Sequence, residues 1–195
     1  MVEIKHTGDT LWERIERAVE KVKERLRRVT SALNEARIPY AVIGGNAVQL
    51  WVAQVDETAV RNTRDVDIVL NRTDLDAARG ALGLVGFVFH EVSGVPMFLD
   101  GPQGTPRDAV HVVFAGEKVR PEHLEPAPDL GQIELIKSLR TLAFPELVRM
   151  KLISYRLKDR VHLLDMISVG LIDETWLGRF SPALQTRLKE LLDNP

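Results

Sequence analysis

The chain has 195 residues, of which 45% are hydrophobic and 28% are charged, and its formal net charge is -2. This length suffices for one domain with a core, or for a domain with a small helical appendage. The absence of cysteine excludes disulfides, zinc–thiolate sites and thiol catalysis. The near-neutral charge excludes a global basic field for nucleic acid, although it leaves room for a local basic cleft.

The chain also lacks the usual signals for membranes and secretion. No apolar run approaches the roughly twenty residues that a membrane span needs. The first six residues, MVEIKH, lack the apolar core of a signal peptide. We therefore expect a cytoplasmic protein without a membrane partner.

The first part of the chain predicts helices that alternate with strands. Apolar residues recur at three- and four-residue steps from Thr10 to Arg37, which predicts an amphipathic helix. Two further helices are predicted over 46–53 and 75–84. The predicted strands cover 39–43, 65–70, 87–89, 95–99 and 109–114, with loops over 55–62 and 101–106.

After Gly116 the sequence changes in character. Four prolines fall between Pro121 and Pro145, and helices are predicted over 146–157, 161–169 and 181–192. Strands interrupted by helices, followed by helices alone, favour an α+β fold. We predict a mixed core over residues 1–120 and a mainly helical C-terminal region over residues 121–195 that completes the cleft.

Two short motifs in the core carry residues suited to nucleotide chemistry. Gly44, Gly45 and Asn46 follow the first strand, and glycines at a strand-to-helix turn let a phosphate approach backbone N–H groups. Asp65 and Asp67 open the next strand, where a spacing of two residues places both carboxylates on one face. Together they indicate a site for a nucleoside triphosphate (NTP) and Mg²⁺.

The two aspartates favour a metal because like charges on an apolar strand need a cation or a basic partner. Strand alternation places Arg64 on the opposite face, so a metal is the better candidate. A simple tight turn at Gly44 and Gly45, and exposed carboxylates at a strand end, are the alternative interpretations.

Residues 39–70 as a set resemble the DNA-polymerase-beta-like nucleotidyltransferase superfamily. The resemblance implies a small mixed sheet flanked by helices. It also implies that Gly44, Gly45 and Asn46 bind the triphosphate, while Asp65 and Asp67 hold the catalytic metal.

The superfamily also has a basic residue before the aspartates and a third carboxylate on a later strand. Arg61 or Arg64 could be the basic residue and contact the nucleotide. Where the third carboxylate is expected, the chain has His111, and the nearest acid, Asp108, is predicted on the opposite face. His111 could ligate a transition metal such as manganese or act as a base, or it could have no chemical role.

The C-terminal region resembles one branch of the superfamily, the nucleotidyltransferase toxins of type IV abortive-infection (AbiEii-like) systems. Lys151, the run from Arg156 to Arg160, and the pair Leu164-Asp165 carry this resemblance. It implies that Lys151 contacts phosphate and that Asp159 or Asp165 is the auxiliary acid. A solvated charged corner between two helices is the alternative.

We therefore predict an enzyme that moves a nucleoside monophosphate (NMP) from an NTP to a hydroxyl acceptor. The expected acceptor is tRNA or another RNA, in a toxin–antitoxin system with a cognate antitoxin; a protein or a small molecule such as an antibiotic is the second choice. His111 motivates a further alternative, a catalytically weak or inactive NTP-binding module. The last is a structural protein that keeps the fold.

Overall fold

The computed structural model describes residues 10–92 and 94–194. The expectation about a signal peptide concerns residues 1–6, which lie outside the described residues. No described helix is both long enough and apolar enough to cross a membrane.

In the described chain, α-helices and strands alternate over residues 10–84, and five consecutive strands and then three α-helices follow. The α-helices are α1 (Thr10–Glu35), α2 (Gly44–Val52), α3 (Leu75–Leu84), α4 (Phe144–Ser154), α5 (Leu157–Ser168) and α6 (Pro182–Asp193). The strands are β1 (Tyr40–Ile43), β2 (Val66–Leu70), β3 (Phe87–Val92), β4 (Val95–Asp100), β5 (Val110–Phe114), β6 (Ile133–Ile136) and β7 (Leu139–Leu142). Short 3₁₀ helices lie at Glu57–Ala59, Arg72–Asp74, Pro106–Asp108 and Glu174–Arg179.

The described strands form one mixed sheet in the order β3-β4-β5-β2-β1-β7-β6. β1 runs antiparallel to β2, whereas β1 is parallel to β7 and β2 is parallel to β5. The helices pack as two groups, because α1 contacts α3 while α2 contacts α4 and α5. The predicted α+β class, with a mixed sheet flanked by helices, is confirmed.

Helix α1 is buried only in its C-terminal half, where Leu26, Val29 and Leu33 join the core. It ends because Arg37 takes a left-handed conformation, with φ of 55°, and the N–H of Ile38 donates to the carbonyl of Leu33. Pro39 then prevents any continuation of the helix. The chain therefore changes direction after α1 and enters β1.

Strands β6 and β7 were not predicted, and their turn explains why. Lys137 and Ser138 link them, both with positive φ, at 49° and 68°. Hairpins of this kind normally show Asn-Gly or a similar pair, which the sequence lacks here. β7 lies beside β1, so the C-terminal region contributes to the same sheet as the core. The division at residue 120 stays a prediction.

Candidate active site

The strand register brings an acid and a histidine side by side. Ile43, the last residue of β1, pairs with Asp67, and Asp67 pairs with His111 on the parallel strand β5. Residues in register on neighbouring strands project from the same face of a sheet. Asp65 precedes β2 by one residue and projects from that face as well. The end of β1 and the starts of β2 and β5 thus form one polar edge.

Asp65, Asp67 and His111 form a potential metal-binding group. One ligand atom from each of the three side chains lies within 4.8 Å of the other two, and all three side chains are half-buried. Among residues 10–92 and 94–194, this is the one group of three acidic, histidine or cysteine ligands with such a geometry. Two carboxylates and an imidazole suit a divalent cation.

The position next to the Asp65, Asp67 and His111 group, residue 44, has room only for glycine. Its φ is +68°, and a Cβ atom there would lie 1.9 Å from Oδ2 of Asp67. A Cβ on Gly45 would lie 2.8 Å from Oγ1 of Thr63. The two glycines therefore let α2 begin directly against the segment that holds the aspartates. Helix α2 starts at Gly44, whereas its predicted start was Asn46.

Asp65 is held by three neighbours. The hydroxyl of Thr63 donates to Oδ1 of Asp65 at 2.5 Å, and Lys158 Nζ donates to the same oxygen at 3.3 Å. The amide of Asn46, predicted to contact phosphate, donates to the backbone carbonyl of Asp65 at 2.8 Å. Burial by itself raises the pKa of Asp65, but Thr63 and Lys158 outweigh it and lower this pKa below its ordinary value. Asp65 is therefore an anionic carboxylate at neutral pH.

His111 is held between a carboxylate and a carbonyl. Its Nδ1 lies 3.5 Å from Oδ1 of Asp67, and its Nε2 lies 3.1 Å from the carbonyl oxygen of Pro106. The contact with Asp67 raises the pKa of His111, against the opposing effect of burial, and the charges of Asp67 and Asp65 add to the rise. The ring is thus fixed in orientation at the position where a third carboxylate was expected.

Lys151 and Asp159 form a closed ion pair at the corner between α4 and α5. Lys151 Nζ donates to Asp159 at 2.9 Å, and Arg156 donates to the same carboxylate at 2.8 Å through its side chain and at 3.3 Å through its backbone N–H. Lys151 is 6% exposed and Asp159 is 1% exposed. Burial raises the pKa of Asp159, but Lys151 and Arg156 hold it far below its ordinary value. The predicted phosphate contact of Lys151 stays a prediction.

Arg61 and Asp165 also bind each other. Arg61 Nε donates to both carboxylate oxygens of Asp165, at 2.9 and 2.7 Å, and so joins the loop before β2 to α5. The carbonyl of Arg64 accepts a hydrogen bond from Arg25 at 3.1 Å. The guanidinium of Arg64 is exposed and has no hydrogen-bond or ion-pair partner within the described chain. The nucleotide contacts predicted for Arg61 and Arg64, and the catalytic role predicted for Asp165, stay predictions.

The sequence did not single out Thr63, Lys158 or His162 as parts of this site. The spacing Thr63-x-Asp65 was a usable signal for the hydrogen bond between them. Lys158 and His162 are four residues apart and share one face of α5, next to the charges of Asp65 and Asp159. His162 is 6% exposed and its Nδ1 has no hydrogen-bond partner in the described structure. Burial, then the charges of Lys151 and Lys158, lower the pKa of His162 to about 4.

No family model and no curated protein matches the chain. Solved structures do match. The antibiotic-resistance factor ANT(2'')-Ia has a TM-score of 0.56 at 12% identity, with 89% of this chain and 96% of that chain covered. A nucleotidyltransferase-like protein from Paracoccidioides brasiliensis has a TM-score of 0.57 at 22% identity, with 90% and 89% covered.

A third structure, ANT(2'')-Ia in complex with adenylyl-2''-tobramycin, has a TM-score of 0.54 at 12% identity, with 88% of this chain and 98% of that chain covered. The likeness therefore extends over nearly the whole length of both proteins. At these identities it concerns the arrangement of helices and strands. The chain has the fold of the nucleotidyltransferases.

Proposed function

We propose that this protein is a metal-dependent nucleotidyltransferase, which moves an NMP from an NTP to a hydroxyl acceptor. The cluster of Asp65, Asp67 and His111 beside the first turn of α2 carries this proposal. A divalent-metal site next to free helix N–H groups is suited to a triphosphate, because both favour its negative charge. The nucleotidyltransferase fold supports the same conclusion.

In the proposed reaction, the acceptor oxygen forms a bond to the α-phosphorus of the NTP. The bond between the α-phosphorus and the oxygen that bridges it to the β-phosphorus breaks. Pyrophosphate leaves with the electron pair, and the hydroxyl proton passes to solvent. A divalent metal held by Asp65, Asp67 and His111 would supply Lewis-acid stabilisation of the phosphoryl charge. The backbone N–H groups of Gly44 and Gly45 would bind phosphate oxygens at the start of α2.

Lys158 is the basic side chain best placed to contact the triphosphate. It is half-exposed and lies 3.3 Å from Asp65, so it can turn to a phosphate once a metal neutralises that carboxylate. Lys151 would have to give up its buried pair with Asp159 to do the same. We therefore propose Lys158 as the phosphate ligand. The phosphate contact proposed for Lys151 from the resemblance would require that pair to open.

For the acceptor, we propose tRNA or another RNA, in a toxin–antitoxin system with a cognate antitoxin. The residues from Lys151 to Asp165 that resemble the abortive-infection toxins support this acceptor. A small hydroxylated molecule is the second candidate. Its support is the likeness to ANT(2'')-Ia, of which one solved complex contains adenylyl-2''-tobramycin.

Label transfer tests the proposal. The protein is incubated with each α-labelled NTP, with Mg²⁺ or Mn²⁺, and with total RNA, cell protein or an aminoglycoside, and the products are resolved. We expect label on one acceptor class, and its loss in Asp65→Asn/Asp67→Asn. Asp76→Asn is the matched control, since Asp76 is an exposed carboxylate paired with Arg79 on α3.

Two other outcomes would decide against the proposal. If no acceptor is labelled while NTP and metal still raise the melting temperature, the protein is an NTP-binding module without transfer activity. If NTP and metal leave the melting temperature unchanged, the assigned site is wrong. Label on RNA and label on an aminoglycoside separate the two acceptor candidates.

A further inference from the structure

His111 has the hydrogen bonding of a histidine that binds metal through one ring nitrogen. The carbonyl oxygen of Pro106 can only accept a hydrogen bond, so Nε2, at 3.1 Å, carries the proton. In a neutral ring the other nitrogen, Nδ1, then presents its lone pair to the carboxylates. Histidines that bind metals usually donate their second ring N–H to a carbonyl or a carboxylate in this way.

The Pro106 carbonyl is itself held in place by a short turn. Pro106–Asp108 forms a 3₁₀ helix directly before β5. The N–H of Asp108 donates to the carbonyl of Thr105 at 3.0 Å, and the Thr105 hydroxyl donates to the Asp108 carboxylate at 3.1 Å. Ala109, the next residue, is fully buried and anchors the turn to the sheet. The orientation of the His111 ring is therefore built into the fold.

Nδ1 of His111 lies 3.5 Å from an oxygen of Asp67. Two groups that both accept hydrogen bonds repel each other unless a proton or a cation lies between them. The three potential ligand atoms lie within 4.8 Å of one another, which is close enough for one cation to be shared by all three. A metal thus satisfies the lone pair of His111 and the charges of Asp65 and Asp67 together.

The donor set also bears on which metal binds. Magnesium prefers oxygen ligands only, whereas an imidazole nitrogen suits the transition metals. Carboxylate oxygens suit Mn²⁺ as they suit Mg²⁺, and Mn²⁺, as a transition metal, tolerates a nitrogen ligand better than Mg²⁺ does. Resting on the proposed function, we propose that His111 ligates the metal of this site through Nδ1 and makes the site select Mn²⁺ over Mg²⁺.

Metal titration and pulsed electron paramagnetic resonance test this assignment. Mn²⁺ and Mg²⁺ are titrated into wild type and into His111→Asp, which restores an all-oxygen site. We expect nitrogen hyperfine coupling to bound Mn²⁺ in wild type and its absence in His111→Asp. The ratio of Mn²⁺ to Mg²⁺ affinity should fall in the variant, because its three potential ligands are then all oxygens, which suit Mg²⁺.

His90→Asp is the matched control, because His90 is an exposed histidine on β3. It should keep both the nitrogen coupling and the affinity ratio of wild type. Bound Mn²⁺ without nitrogen coupling in wild type would overturn the assignment, as would an unchanged affinity ratio in His111→Asp. If His111→Asp fails to fold, the coupling in wild type decides alone.

The result is separable from that of label transfer. Nitrogen coupling without transfer to any acceptor would leave the metal assignment intact and remove the proposed enzyme activity. Transfer that runs equally well with Mg²⁺, with no nitrogen coupling to Mn²⁺, would keep the activity and remove the role of His111.

Discussion

The corner between α4 and α5 and the start of β2 both hold carboxylates away from solvent, but they balance the charge differently. At the corner, Asp159 accepts hydrogen bonds from Lys151 and Arg156, so its charge is satisfied within the chain. At β2, Asp65 and Asp67 face His111, and the half-exposed Lys158 is the one lysine bound to either aspartate in the described structure.

We use this contrast to distinguish carboxylates that stabilise the fold from candidate metal ligands. Burial alone does not identify either kind of carboxylate, because a buried carboxylate with a full set of hydrogen-bond donors needs no ligand. Two neighbouring carboxylates with too few donors store repulsion, which a bound cation relieves. We therefore expect the α4–α5 corner to stabilise the fold and the start of β2 to be the place where a metal binds.

The largest expected difference is in stability. Asp159→Ala leaves Lys151 buried without a partner, and we expect a loss of about 3–5 kcal/mol in the free energy of unfolding. Asp67→Ala removes repulsion and should change that free energy by less than about 1 kcal/mol, or raise it. Urea denaturation at pH 7 measures both. Equal losses at the two positions would contradict the contrast.

The two histidines should affect the pH dependence of stability in different ways. The folded pKa of His162, about 4, is below the unfolded value, so the unfolded chain takes up a proton first as pH falls. The stability that neutral His162 contributes is fully present above its unfolded pKa of about 6.5. About 3 kcal/mol of this contribution is lost when the pH falls to 4. Urea denaturation of His162→Asn between pH 4 and 7.5 should show a smaller loss.

His111 should act in the opposite sense. Its folded pKa is raised, so its contribution is present below the unfolded pKa and is lost as pH rises through the folded value. His111→Asn should therefore make stability rise more steeply with pH, whereas His162→Asn should make it rise less steeply. The same slope in both variants would show that the two environments do not differ.

A glycine variant tests how closely α2 approaches the aspartates. Gly44→Ala adds strain of about 1–3 kcal/mol, because the residue has positive φ. Its Cβ must also displace Asp67, so the variant should lose metal affinity. Gly86→Ala is the matched control, since Gly86 has φ of +88° and open space around it. Calorimetric metal titration should show loss in Gly44→Ala alone; loss in both variants would assign it to strain.

A small change in stability is expected at Lys158. Lys158→Met breaks a half-exposed pair and should cost less than about 1 kcal/mol. Metal-dependent NTP binding should nevertheless weaken, because the proposed phosphate ligand is gone. Lys189→Met is a control that breaks a comparable exposed pair, with Asp193, on α6. Unchanged NTP affinity in Lys158→Met would exclude the phosphate contact.

Strands and motifs set by local pattern were predicted well. β1 and β2 lie within one residue of their predicted bounds, because short apolar runs next to glycine or a turn identify buried strands. The shared face of Asp65 and Asp67 followed from strand alternation alone. β6 and β7 were missed because the Lys137-Ser138 turn adopts positive φ without the residues that normally indicate it.

The α+β class, the glycine turn and the paired aspartates were therefore predictable from the sequence, because each depends on residues that are close together in the chain. The remaining contacts depend on the tertiary structure. It pairs Asp67 with His111 across β2 and β5, and it brings Lys158 to Asp65 and Asp165 to Arg61 over separations of 93 and 104 residues. Strand order and helix packing set those contacts, and no local spacing encodes them.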